Sequence, residues 1–516
     1  MKLLQHLIRS RRQYLAAFLA VAMLGASLVS CGVSYENAAT DGTVDTGEKN
    51  ASTNVEEEVE TILDHDLPED LDYGEDEVVI VSRYREGWTS GEIAVEKTIG
   101  EPVNDAVYER NLTVQEELNV KITSLEENNP DPSTLMTQIS TNIKSGSGDY
   151  DIVACAAYVT VNEALNGTFA DLRQTKYIDF DKEYWSQGYN EVIQYQGTQY
   201  TVTGSMVLSL YRFAFITTFN KRLFTETQVE YPYDAVKNGT WTLDYQTSLV
   251  PLFHYDNDGT PDDENDIYGL VTTPYISVDP YWSSCDVPII GRDENGGYEI
   301  IFETEKLYNV AEKTMKLFYG TDGATYTYDH YGLDEEQNDI RLMFSTGHSA
   351  MATVRIMELE SGDMRQMEDE FGVLPMPKYD EAQAKYKTLL HDQFTVMAIP
   401  TTVTGDRLDE MSAVLECMAA EGHKLVRPAY YESALRYKYM KDPESWEMMD
   451  IIIDHIYIDA GIIYTNALSS FHDQFRQIMI SKNNTVTSAY KSKAKAANRA
   501  LGKMTDKLDD LVDRGA

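Results

Sequence analysis

Between residues 77 and 156, short apolar runs alternate with helical periodicities, and this alternation narrows the fold more than any other stretch. Glu77-Val78-Val79-Ile80-Val81 is a β-branched run of strand length. Val103, Val107, Val114 and Leu118 then fall on one face of a helix, and Asn119-Val120-Lys121-Ile122-Thr123 is a second strand candidate. Asp131-Pro132-Ser133 announces the next helix. The aspartate can accept from free N–H groups of the first turn, and proline there loses no hydrogen bond. Leu135, Ile139 and Ile143 follow at spacings of four, and Gly146-Ser147-Gly148 stops the helix. Asp151-Ile152-Val153-Ala154-Cys155-Ala156 is a third strand. Strand, helix, strand, helix, strand with short links predicts a parallel α/β sheet covered by helices, with right-handed crossovers.

The later chain is more mixed. Ala214 to Phe219 reads as a strand entering a helix, and Thr240-Trp241-Thr242-Leu243-Asp244 as a helix start with a Thr or Asp cap. Residues 275–305 are rich in aromatics, Gly and Pro and read as irregular. Leu307, Val310, Ala311, Met315 and Leu317 restore a helical pattern. Gly372 to Lys378 reads as a strand running into a proline-fixed loop, and Phe394 to Ile399 as another strand. From Met411 onward the pattern is nearly all helical.

A basic stretch with Lys2, Arg9, Arg11 and Arg12 precedes an apolar run from Tyr14 to Val29, which ends in Leu28-Val29-Ser30-Cys31. Charged start, apolar middle and small residues at the cut are the signature of a secretory signal. The run is shorter than the roughly 20 residues of a spanning helix. Its end resembles the bacterial lipobox, which implies lipidation of Cys31 and removal of residues 1–30. Residues 31–75 are rich in Asn, Thr, Gly, Asp and Glu and predict a disordered, extended acidic tether. The remaining chain is too long for one core and predicts at least two domains.

The net charge of −42 excludes a nucleic-acid partner and places any membrane contact in the lipid alone. Beyond Cys31, the chain has only Cys155, Cys285 and Cys417, without CxxC spacing, so a disulfide framework is not expected; a single bridge between two of them stays open. Cys155 and Cys417 read as small core residues. No GxSxG, HExxH or P-loop is present, the nine histidines show no metal spacing, and carboxylate pairs have no specificity in so acidic a chain.

Several segments together resemble the extracellular solute-binding proteins, family 1, of bacterial carbohydrate importers. They are Asp149-Tyr150-Asp151-Ile152, Gly167-Thr168-Phe169-Ala170-Asp171-Leu172, Phe219-Asn220-Lys221-Arg222-Leu223-Phe224, Thr240-Trp241-Thr242-Leu243, the run from Gly372 to Gln383, and Arg427-Pro428-Ala429-Tyr430-Tyr431. The resemblance implies a two-lobed α/β fold of the periplasmic-binding-protein type II kind, with ligand trapped between lobes. The expected division is lobe 1 at about 76–200 and 335–395, and lobe 2 at about 201–334 and 396–516. It implies a monomeric, non-enzymatic, lipid-anchored protein that delivers a sugar or oligosaccharide to an ABC permease on the extracytoplasmic face. The rivals are a surface glycan-binding or adhesion lipoprotein without a transporter, and an exported hydrolase.

Sugar recognition needs aromatic faces for the C–H side of a pyranose and planar polar groups for its hydroxyls. The chain has 35 tyrosines and five tryptophans. Position selects among them: Tyr84 and Trp88 follow the first strand, Tyr158 follows the third, and Tyr281 and Trp282 lie in the irregular middle. Trp185 and Trp241 sit in motifs that read as core. Arg355, which follows the small-residue run Ser349 to Thr353, and Asp392, which precedes the Phe394 strand, are the polar candidates, able to fork two hydroxyls. The acidic run from Asp256 to Asp266 offers alternate oxygens around Gly259. Asp256, Asp258, Thr260, Asp262 and Asp266 are therefore candidate calcium ligands, although the strict EF-hand pattern fails at Pro261 and Ile267.

Overall fold

Nine strands build the two principal sheets found among the described residues of this computed structural model, which describes 64–127, 131–260, 264–301, 304–328, 335–440 and 442–515. In chain order they are β1 (Asp76–Arg83), β2 (Val120–Glu127), β3 (Ile152–Ala156), β4 (Phe215–Asn220), β5 (Leu270–Thr272), β6 (Thr325–Thr327), β7 (Met351–Arg355), β8 (Phe371–Leu374) and β9 (Thr395–Ala398). The helices that matter below are α1 (Pro102–Leu118), α2 (Pro132–Ser145), α3 (Asp279–Ser284), α4 (Thr304–Tyr319), α5 (Asp406–Glu421), α6 (Pro443–Asp454), α7 (Asp473–Ile480) and α8 (Val486–Gly515).

The first sheet has the order β9-β3-β1-β2. β1 pairs in parallel with β2, Val78 opposite Ile122, and with β3, Val81 opposite Val153. β9 closes the edge antiparallel, Met397 opposite Ala154. The α/β beginning is therefore as the sequence predicts. Asp131 caps α2 through Ser133 and Thr134 N–H groups, Pro132 occupies its first turn, and Gly146 ends it at a φ of 73°. Leu135, Ile139 and Ile143 are buried. In α1, Val107, Val114 and Leu118 are buried, and Glu101 caps the helix ahead of Pro102.

The second sheet has the order β8-β4-β7-β5-β6. β4 is antiparallel to both neighbours, with Thr217 opposite Thr353, while β5, β6 and β7 run parallel. The division between lobes differs from the sequence expectation. β7 and β8, from the 335–395 segment assigned to lobe 1, belong to the second sheet, and β9, from the segment assigned to lobe 2, completes the first. These pairings join residues far apart in sequence, which no local pattern encodes.

Three passages of the chain between the sheets bear on the site. The first two passages lie side by side, with Ala214 bridged antiparallel to Leu390 and His391 N–H donating to Phe213 at 3.0 Å. The third precedes α6: α5 packs on α1 in the first lobe, α6 on β8 in the second. α8 spans both lobes. It packs against α4 in the second lobe, while its distal Leu511 joins the apolar cluster around α2 and β3.

Cys31 and residues 31–63 of the expected tether lie outside the described residues, while 64–75 are docked and not free. Leu67, Leu71 and Tyr73 pack on the core, Tyr73 N–H donates to Leu118, and Lys424 holds Asp64 at 2.6 Å. Three apolar side chains in that acidic stretch supply the buried area that the composition as a whole lacks. Cys155, Cys285 and Cys417 are free and buried. No helix among the described residues is long and apolar enough to cross a membrane.

Candidate functional site

Side chains from the carboxyl ends of the strands in both sheets meet around the second passage, residues 389–394. Such strand ends, at a junction between lobes, are where open α/β sheets present ligand sites. From β1, Arg83 is buried and donates from Nη1 to Gln393 at 2.8 Å. Beyond β3, Tyr158 N–H donates to the Asp392 carbonyl at 3.2 Å. From β7, the guanidinium of Arg355 lies 4.5 Å from the ring of Trp88, which follows β1. The two sheets thus touch through Trp88 and Arg355.

Trp88 is the centre of this arrangement. Its ring meets Phe213 edge-on at 5.4 Å and His391 at 5.8 Å, and the Arg85 guanidinium lies 3.6 Å from its centroid. It is 6% exposed, so packing and cation–π contact already occupy most of the ring. A cavity of about 380 Å³ adjoins it, lined also by Glu86, Arg212, Arg341, Arg355 and Glu358.

The electrostatics of the passage are set by burial among arginines. Desolvation, then Arg355, Arg476, Arg83 and Arg85, push His391 well below its ordinary value and keep it neutral. Burial pushes the neighbouring Asp392 carboxyl up to about 6, opposed by His472 and Arg476. Behind it, Arg476 of α7 clasps Asp279 at the start of α3 through both guanidinium edges, Nε to Oδ1 at 2.8 Å and Nη2 to Oδ2.

The structure brings Trp88, Tyr158, Arg355 and Asp392 together. Tyr84 stands at the rim, half-exposed, with its hydroxyl donating to Glu86. Tyr281 is a correction to the sequence reading. It is fully buried, its hydroxyl pairs with Thr353 Oγ1 at 2.8 Å, and its ring meets Phe318 at 5.4 Å, so it is core of the second lobe. Trp282 is likewise 1% exposed and offers no open face, though its indole N–H finds no acceptor among the described residues. The segment expected to be irregular folds here into α3, which turns both rings inward. Trp185 and Trp241 are buried as expected.

Arg83, Gln393 and Arg476 stand at the same junction, and sequence reasoning did not select them. Arg83 could have been found, because it lies two residues past the first predicted strand. Arg476 could not, since only the packing of α7 brings it to α3.

In the acidic loop, Asp256, Asp258 and Asp266 place carboxylate oxygens within 4.8 Å of one another. Asp256 Oδ1 accepts from Asp258 N–H at 3.1 Å and Gly259 N–H at 2.6 Å, with Gly259 at a φ of +83°. Thr260 N–H donates to Asp258 Oδ1 at 2.8 Å. Asp262 lies outside the described residues. Hard oxygens of this kind suit calcium, and three carboxylates are part of the roughly six to eight ligands it takes.

No protein-family profile matches the chain, and no curated protein sequence matches it. Solved structures do. The cyclic α-maltosyl-1,6-maltose binding protein from Arthrobacter globiformis superposes with a TM-score of 0.57 at 14% identity, covering 83% of this chain and 99% of that one. An ABC substrate-binding protein from Listeria monocytogenes, in complex with cycloalternan, gives 0.51 at 14% identity, with 83% and 99% covered. UgpB from Mycobacterium tuberculosis, in complex with glycerophosphocholine, gives 0.53 at 13% identity, with 77% and 95% covered. The chain therefore has the two-lobed α/β fold of ABC-transporter substrate-binding proteins, the fold its sequence resemblance implies.

Proposed function

We propose that the protein is a lipid-anchored, extracytoplasmic substrate-binding subunit that captures a sugar or oligosaccharide and hands it to an ABC permease. One observation carries the reading: aromatic and guanidinium side chains from the carboxyl ends of two sheets converge on the passage between lobes, beside a cavity. Of the structurally similar proteins, one is solved in complex with cycloalternan and another is a cyclic α-maltosyl-1,6-maltose binding protein. The UgpB complex supports a wider range, since its ligand carries a phosphate. The mechanism is binding-driven closure. A ligand that touches both lobes favours the closed arrangement by its differential affinity, and the closed form docks on the permease. Chemistry on the ligand forms no part of this reading. Lipid on Cys31 holds the protein at the membrane.

A thermal-shift screen of saccharides, followed by calorimetry and chromatography of the recovered ligand, tests the proposal. The expected result is saturable binding with the saccharide recovered intact. Cleaved product would favour the hydrolase reading instead.

A further inference from the structure

We infer that the ligand carries an anionic group, a carboxylate or a phosphate, and that Arg355 receives it. This rests on the sugar-binding reading above and narrows it to acidic or phosphorylated saccharides. Arg355 ends β7 and is 1% exposed. Its Nη2 donates to Glu358 Oε1 at 2.7 Å, but Nε and Nη1 have no acceptor among the described residues. Nor does it hold Glu358 alone: the other carboxylate oxygen accepts from Arg341 Nη1 at 2.9 Å. The second carboxylate of Arg341 is Asp363, which stands at the surface with its side chain 45% exposed. One buried carboxylate thus serves two guanidiniums.

A buried guanidinium with open N–H donors is costly, because the lost water is not replaced. Neutral hydroxyls can accept these hydrogen bonds but add nothing to the charge compensation that Glu358 shares between Arg355 and Arg341. An anionic oxygen pair accepts two and offsets the charge as well, in the planar geometry that suits arginine. Arg355 lines the cavity of about 380 Å³ beside Trp88, and its covered donors become reachable as the lobes part. The other acids of that cavity are already engaged. Glu360 pairs with Arg212 at 2.9 Å, and Glu86 accepts from Tyr84. Arg83 and Arg85 act on the same passage, in a chain whose net charge is −42. A concentration of arginine there runs against the composition of the whole molecule.

The test uses the purified full chain in detergent and calorimetry against matched pairs of probes. Each neutral oligosaccharide is run beside its uronate and its phosphorylated counterpart, with inorganic phosphate alone as a further arm. The best ligand is expected to be acidic, at least about tenfold tighter than its neutral counterpart, and weakened as salt rises from about 0.05 to about 0.5 M. The carboxylate and phosphate arms identify which group is preferred. Arg355→Gln should abolish the preference, and Arg355→Lys should keep part of it. If either variant fails to fold, the salt dependence and the paired affinities of the unaltered protein still decide. A neutral saccharide that binds as tightly as its acidic partner overturns the anion assignment while leaving sugar binding intact. Failure of every saccharide to bind overturns the sugar reading itself. Phosphate binding without any saccharide has the same consequence for the sugar while supporting Arg355 as the anion contact.

Discussion

At the scale of single residues, burial decides which aromatic rings can meet a ligand. Trp282 is enclosed, so Trp282→Ala is expected to cost about 3–5 kcal/mol of stability, read from urea denaturation, with ligand affinity changed much less. A stable variant with tenfold weaker binding would place the ring in the cleft after all. Trp88→Ala should affect both readouts, because the ring orders Arg85 and Arg355 as well as packing on Phe213. Asp392 adds a pH signature. Its folded pKa is raised to about 6 from 3.8, so the stabilising protonated form is present at low pH and lost as pH rises through about 6. Asp392→Asn should therefore gain in melting temperature relative to the unaltered protein between about pH 4 and pH 7. A difference that is flat across that range would show that Asp392 ionises normally. Trp88, Tyr158 and Asp392 were visible because each adjoins a strand that could be read locally, and Arg355 because it follows a run of small residues. It misplaced Tyr281 and Trp282 because Gly and Pro near them masked the short helix that turns them inward.

At the scale of elements, the caps were legible and the pairings were not. Asp131-Pro132 and Gly146 bound α2 where the side-chain chemistry requires, and Asp131→Ala should cost about 1 kcal/mol in chemical denaturation as the cap is lost. An unchanged midpoint would mean that water replaces the carboxylate at no cost. Sheet membership was beyond local reading: Thr217 finds Thr353, and Ala154 finds Met397, through contacts that only the completed fold defines. The acidic loop is the element whose role is most easily tested. If Asp256, Asp258 and Asp266 hold calcium, millimolar calcium raises the melting temperature by mass action on the folded state, and Asp258→Ala removes the gain. No shift with calcium would leave a solvated turn in which the three carboxylates only organise backbone N–H groups.

At the scale of the whole molecule, α8 and the three passages tie two sheets into one body while leaving strand ends from both at a common junction. That arrangement explains how a ligand could bridge the lobes without either lobe needing a complete site. The export reading adds a separate expectation at this scale. Intact mass of the membrane-extracted protein should show acyl chains on Cys31, and Cys31→Ser should block both cleavage and lipidation; an unmodified mature N-terminus elsewhere would remove the anchor. Capture between lobes is decided by small-angle X-ray scattering with and without a calorimetrically confirmed saccharide. One saccharide per chain and a smaller radius of gyration in the bound form are expected. Binding at that stoichiometry with an unchanged scattering profile, or binding that Trp88→Ala and Arg355→Gln both leave untouched, would contradict it.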